Sequence, residues 1–181
     1  METTQQPSPV PFALRYGLYA GLVLTIIGAI LNITELSFNQ TIGYLSTLLF
    51  WGAPIVAIIL ALKDFRQNNG GYLSLGQSIG LGTLLCVVMG FISGLFTTLY
   101  VKVIDASFAE KVIDNARRQM EEKGTMSDEQ VDKAIEISRP FTEAMFTYSF
   151  IISPILYAII GVIFSLIIGA IMKKDRDVFL Q

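Results

Sequence analysis

Polar and apolar positions along this chain fall into long blocks. Asp, Glu, Lys and Arg are absent from 16–34, 36–62, 67–101 and 144–172. A hydrocarbon core about 30 Å thick is crossed by about 20 helical residues, so each block holds one span. The pattern predicts spans at 12–33, 41–62, 75–101 and 145–172. The last two are long enough to tilt or to project from the bilayer. Helices satisfy their own backbone groups in lipid. A β-barrel would require short alternating strands, and 84–89 and 159–164 show no such alternation.

The blocks leave four segments outside. Residues 1–11 are a polar tail with Pro7, Pro9 and Pro11; 35–40 is a tight turn; 63–74 is a polar connection; 102–143 is the only sizeable polar region. Within that region Phe108, Val112, Ile113, Ala116 and Met120 recur at helical spacing, which predicts an amphipathic helix. Gly124 stands where a glycine would end it. Ser127 and Gln130 then match a capping box, and Val131, Ala134, Ile135 and Ser138 continue a weak apolar face to Arg139. Pro140 marks the expected break before span four. The fold class is therefore an all-α integral membrane protein: a four-transmembrane-helix bundle with an amphipathic helical hairpin, 105–139, between spans three and four. One membrane domain covers 12–173, and 174–181 is a cytoplasmic tail. The hairpin reads first as a connector whose apolar faces pack on each other or on the membrane surface. A docking module is the sharper reading.

Composition agrees with the pattern. Of the 181 residues 52% are hydrophobic and 15% charged, where a soluble domain carries about 25% charge. Mean hydropathy is +0.58. That excludes a disordered chain and disfavours a soluble enzyme, since so few charges cannot coat a globule of this size. With no histidine and one cysteine, no disulfide framework and no His/Cys zinc site can be built within one chain. A net charge of −2 gives no footprint for nucleic acid. The first span has one basic residue, Arg15, at its start and no clear cleavage site after it, so it reads as retained rather than as a signal peptide. Short connections set orientation through Lys and Arg. Arg15, Lys63, Arg66, Lys173, Lys174 and Arg176 share one side, whereas the basic residues of 102–143 are outnumbered by acids. Both termini are expected in the cytoplasm.

Candidate chemistry is sparse. No ionisable side chain other than Tyr and Cys86 sits deep in a span, and intramembrane charges are the usual mark of an ion or proton path. Asn32, Thr25, Thr47, Ser93, Thr97, Ser149, Ser153 and Ser165 are expected to bond neighbouring carbonyls. Glu35, Lys102, Asp105 and Glu143 fall near the outer interface, first as solvated charges and, as the alternative, as a ring or ion pairs. Cys86 lies mid-membrane, where its thiol stays protonated. The triplets beginning at Asn32 and Asn39 match a glycosylation acceptor but hug the membrane. Pro54 and Pro154 should kink spans two and four.

Two sets of residues carry the packing. Gly17 and Gly21, Gly76 and Gly80, and Gly90 and Gly94 are small-xxx-small pairs, and Gly161, Ser165 and Gly169 line one stripe of span four. Lipid offers no hydrophobic drive for helix association, so close approach through small residues supplies it, within one chain first and between copies as the alternative. In the connection before span three, Gly70 and Gly71 permit positive φ, Tyr72 suits the headgroup level, and Ser74 with Gln77 forms a capping box. This segment reads as an entry turn fixing the depth of span three; a ligand loop is the alternative.

The run from Phe65 through Gly70, Gly71, Tyr72, Leu73 and Ser74 to Ser78, the 100–105 stretch, the Met126–Gln130 helix start and the closing 167–174 run together resemble domain-of-unknown-function family 4199. The resemblance covers nearly the whole chain and implies a small four-span inner-membrane protein of the Bacteroidetes type. It carries over no catalytic residue and implies no cofactor. The leading reading is a non-enzymatic membrane protein acting through helix packing or partner contacts. Beside the lipid bilayer, a homo-oligomer or a membrane-protein partner stays open, and no nucleic acid is expected. The alternative is a small transporter or channel subunit working as an oligomer. A membrane enzyme comes third.

Overall fold

The computed structural model describes residues 7–175. It is all-helical, and four of its helices are long and apolar enough to cross a membrane. In chain order these elements are α1 (Val10–Ile33), a single 3₁₀ turn (Leu36–Phe38), α2 (Gln40–Asn68), α3 (Leu75–Leu99) with a π turn (Tyr100–Ile104), α4 (Phe108–Lys123), α5 (Asp128–Thr147) and α6 (Ser149–Met172). At 1.5 Å per residue, the 24 residues of α1 and of α6 span about 36 Å. The membrane elements are α1, α2, α3 and α6. Both ends of the described chain lie at one end of the bundle, and α4 with α5 at the other.

The centre is α3. It makes its most extensive contact with α6 and its next with α1, while α2 touches the others more lightly. Burial on α2 is one-sided along its length. From Pro54 to Phe65 it buries Pro54, Ala57, Ile58, Ala61, Leu62 and Phe65, and the Phe12 ring meets Phe65 edge-on at 5.4 Å. Before Pro54, no α2 residue is buried, and Leu48 is 72% exposed. The main core is thus densest between mid-membrane and the end that holds the termini.

Three boundaries differ from the pattern read along the chain. First, α2 continues to Asn68, so 63–68 is helix and the connection is only 69–74. Second, the chain does not break at Pro140. Helix α5 runs through it to Thr147, and the break falls at Tyr148. A proline removes one helix hydrogen bond. On an exposed face, solvent can take over the freed carbonyl, and Pro140 is exposed. Third, α6 starts at Ser149 rather than at 145. Its first amides are met from outside: the Phe150 N–H donates to Thr98 Oγ1 of α3 at 3.2 Å.

The hairpin of α4 and α5 has its own small core of Ile113, Val131 and Ile135, with Ala116 and Met120 against it. Gly124 closes α4 in the left-handed conformation, φ 60°. The Ser127 N–H donates to Gln130 Oε1 at 2.9 Å at the start of α5. Arg117 bridges to Asp132 at 2.6 Å, and Arg139 pairs with Glu110. Lys111 ties the hairpin to the bundle, reaching Glu35 at 2.9 Å and Asp105 at 3.1 Å. Beneath it Phe108 is buried among the rings of Tyr100, Phe146 and Phe38, with centroids at 5.2, 5.4 and 6.0 Å.

These pairs set a pH dependence. Hydrogen bonds from Ser107, then the Lys111 ammonium, hold the Asp105 carboxyl below its usual pKa. The Arg139 guanidinium does the same to Glu110. A carboxylate whose folded pKa is depressed adds stability above its unfolded pKa and loses it as pH falls through the folded value. The hairpin's amides are therefore expected to be protected at neutral pH and to open in acid, at and below the ordinary carboxylate range near pH 4. Hydrogen exchange on α4 at stepped pH measures this, and Asp105→Asn should flatten the curve.

Candidate functional site

Where side chains are small, the helices touch backbone to backbone. On α3, Ser78, Gly82, Cys86, Gly90, Gly94 and Thr98 repeat every four residues. On α6, Gly169, Ser165, Gly161, Tyr157, Ser153 and Ser149 do the same in reverse. The two rows meet in one antiparallel register. A Cβ on Gly169 would strike Ser78, on Gly82 would strike Ser165, and on Gly161 would come within 2.8 Å of Cys86 Cβ. Added to Gly90, it would lie 2.8 Å from the Ser153 carbonyl oxygen; added to Gly94, it would press on the Ser149 carbonyl. Parallel α1 packs on another face of α3: a Cβ on Gly17 would stand 2.7 Å from the Leu85 carbonyl oxygen, and one on Gly21 3.2 Å from Met89 Cα.

Gly76 and Gly80 require a correction. Nothing lies within 4 Å of a Cβ at either position, and both are exposed. Gly80 lies two residues, about 200°, from Gly82, so the pair points away from α6. The glycine that the reading along the chain missed is Gly82. Its signal was the unbroken four-residue period through Cys86 to Gly94.

At the end of the termini, the 69–74 turn is pinned from three sides. Gly70 and Gly71 take φ 67° and 86°. Arg66 Nε donates to the Gly71 carbonyl at 2.9 Å, and its Nη1 to the Met172 carbonyl at 3.3 Å, at the last turn of α6. Leu73, fully buried, exchanges two 2.9 Å backbone hydrogen bonds with Lys174. The Lys174 ammonium sits 5.9 Å from the centre of the Tyr72 ring. Ser74 Oγ accepts from the Gln77 N–H at 3.2 Å and Gln77 Oε1 from the Ser74 N–H at 3.0 Å. Next to this turn Asp64 accepts from Arg15 and, at 3.1 Å, from the Tyr16 hydroxyl. The α2 side of this cluster was hidden because Asp64 lies beyond the expected end of span two.

Two spaces remain in the bundle. One is a cleft of about 710 Å³ between α1 and α2, lined by Ala20, Val23, Leu48, Gly52, Ala53 and Val56 among others, with Tyr16 and Tyr19 as its polar margin. The other is a set of adjoining chambers beneath the hairpin. The deepest, about 200 Å³, reaches Thr25, Ser93 and Tyr157. Thr97 Oγ1 donates to the Ser93 carbonyl at 2.9 Å, and Thr47 Oγ1 to the Gly43 carbonyl at 2.9 Å. Among the described residues, no group of three or more His, Cys, Asp or Glu is placed to hold a metal ion.

The family model described as "Protein of unknown function (DUF4199)" matches residues 15–174. The chain belongs to this family. The match takes in α2, α3 and α6 whole, α1 from Arg15 on, the 69–74 turn and the hairpin. No curated protein and no solved structure matches the chain. As a DUF4199 member it inherits no assigned reaction, so its own geometry carries the functional argument.

The seam gives opposite expectations for glycines on one helix. Gly94→Ala should lower stability by about 1–3 kcal/mol, the cost of overpacking. Gly80→Ala should leave the melting temperature in detergent at or above the wild-type value. For the turn, Gly71→Ala should cost about 1–2 kcal/mol, since a Cβ is unfavourable at left-handed φ. Thermal unfolding of the purified variants, read side by side, separates the three positions.

Proposed function

We propose that this DUF4199 protein is a non-enzymatic, multi-pass protein of a bacterial inner membrane that works through contacts in the plane of the bilayer. Both termini and the 69–74 turn lie in the cytoplasm in this reading, and the α4–α5 hairpin lies outside. The observation that carries the proposal is the open α1–α2 cleft. Before Pro54, α2 leaves the bundle and presents Gly52 and Ala53, with Ala20 of α1 opposite, to a space that the chain does not fill. Small residues facing an open groove are the condition for close helix–helix approach in lipid. The occupant is therefore a transmembrane helix, of a second copy or of another membrane protein. A transporter or channel subunit is the second reading, favoured by the chambers beneath the hairpin.

A photo-crosslinking residue at Val56, which is 56% exposed in the cleft, is expected to give protein adducts in native membranes. The same residue at Ile171, 80% exposed on α6, should give lipid adducts alone. Lipid adducts at both positions would remove the proposal. Orientation is read separately: in a Cys86→Ser background, Gly124→Cys should react with an impermeant thiol reagent added to the outside of intact cells.

A further inference from the structure

Below the hairpin the spaces adjoin one another into the bundle. An outer one is bordered by Ser37, Asn39, Arg118 and Lys123. The next, about 330 Å³, shares Ser37, Phe38 and Asn115 with it. That one shares Asn32 and Thr97 with the deepest, about 200 Å³. The descent ends on Tyr157 of α6, which is 4% exposed and whose hydroxyl faces Ser93 without completing a well-formed hydrogen bond. Ser37 Oγ, on the wall of the two upper spaces, is also buried without a partner. Thr25 Oγ1 and Ser93 Oγ stand 3.5 Å apart in the deepest space. Below Tyr157 the α3–α6 seam is closed.

A polar hydrogen left alone at membrane depth is costly, and each such group in a folded protein needs an explanation. Packing does not supply one here, because Tyr157 lines an open volume. Water would serve the hydroxyls of the middle space, where Asn32, Thr97 and Asn115 stand among Phe38, Phe108 and Phe146, but the deepest space is mostly apolar, walled by Leu24, Leu31, Phe96 and Phe50, which meets the Tyr157 ring at 5.4 Å. A mostly apolar pocket with a few convergent polar groups is the common form of a small-ligand site. No charged side chain lines either of the two inner spaces among the described residues. An ion would lose its hydration there with nothing to replace it.

We propose that these spaces form a binding site, entered from the hairpin end, for a small uncharged molecule with an apolar or aromatic body and a hydroxyl or amide group. The body lies against Phe50 and Phe96. The polar group bonds the Tyr157 hydroxyl, with Ser93 and Thr25 in reach. Asn32 and Thr97 form the neck. Leu24 and Leu49 line both this site and the α1–α2 cleft, but Tyr157 and Ser93 line this one and Val56 the cleft, so the two proposals are read by separate residues.

The full chain in nanodiscs, carrying Cys86→Ser and Ser93→Cys, tests it with benzyl alcohol as the probe. The Ser93→Cys thiol should react with a water-soluble thiosulfonate, whereas a thiol at Ser165, packed in the seam, should not. Benzyl alcohol should slow that reaction saturably. Toluene, lacking the hydroxyl, and benzylammonium, bearing a charge, should each protect at least ten-fold more weakly. Adding Tyr157→Phe should weaken benzyl alcohol protection at least five-fold with an unchanged labelling rate in its absence; Asn32→Leu, at the neck, provides a second variant if the first unfolds. An unreactive Ser93→Cys thiol, equal protection by toluene, or protection untouched by the variants would each overturn the proposal.

Discussion

A bundle in lipid cannot be held by the hydrophobic effect, because the solvent is as apolar as its side chains. Here the antiparallel seam of α3 and α6 does that work. Six positions on each helix, four residues apart, bring the backbones so close that at several of them a single Cβ would strike a carbonyl oxygen or a neighbouring side chain. Dispersion contacts, each small, accumulate along this whole length. The seam also explains why Ser165 and Ser149 can sit inside. Each hydroxyl donates to a carbonyl one turn back, Gly161 and Met145, so neither serine leaves a polar hydrogen over. The rest of the fold hangs on α3: α1 packs on it through Gly17 and Gly21, and Thr98 accepts from the Phe150 N–H in the first turn of α6.

The spans were legible because each charge gap is about as long as the hydrocarbon core is thick, or longer, when wound as a helix. The hairpin was legible for a different reason: its seam of Ile113, Val131 and Ile135 stands against a charged background, where period shows. Phase was not legible. Gly76–Gly80 and Gly90–Gly94 are the same motif on one helix, and only the partner decides which pair is covered. That partner lies some seventy residues on in the sequence, and a three-dimensional register is needed to match Gly82 to Ser165. Pro140 misled because local chemistry penalises a proline without saying whether neighbouring turns and solvent can absorb the loss. The π turn at Tyr100–Ile104 left no local signal.

Closure is unequal along the membrane normal. At the end holding the termini, Arg66 bonds two segments at once, Leu73 and Lys174 exchange backbone hydrogen bonds, and Arg15 meets Asp64. Tyrosine, lysine and arginine at such depth are also interfacial anchors. This end is thus fixed both to the bilayer and to itself, with Ile58, Leu62 and Phe65 filling the space above it.

Toward the hairpin the constraint relaxes. Pro54 cannot donate to the Phe50 carbonyl, so α2 loses one rung where it leaves the core. Beyond it the rings of Phe50 and Trp51 reach α6, at Tyr157 and Phe164, but Leu45 and Leu48 stay exposed, whereas Ile58, Leu62 and Phe65 are fully buried below. The result is a bundle whose lower half is set by packing and whose upper half leaves room beside α1 and under the hairpin. A protein selected only for rigidity would close that half, since empty space in a core is destabilising. In the functions proposed above, this open half would do the binding, apart from the seam on which folding depends. On that proposal, substitutions in the upper half change what is bound without changing whether the bundle forms.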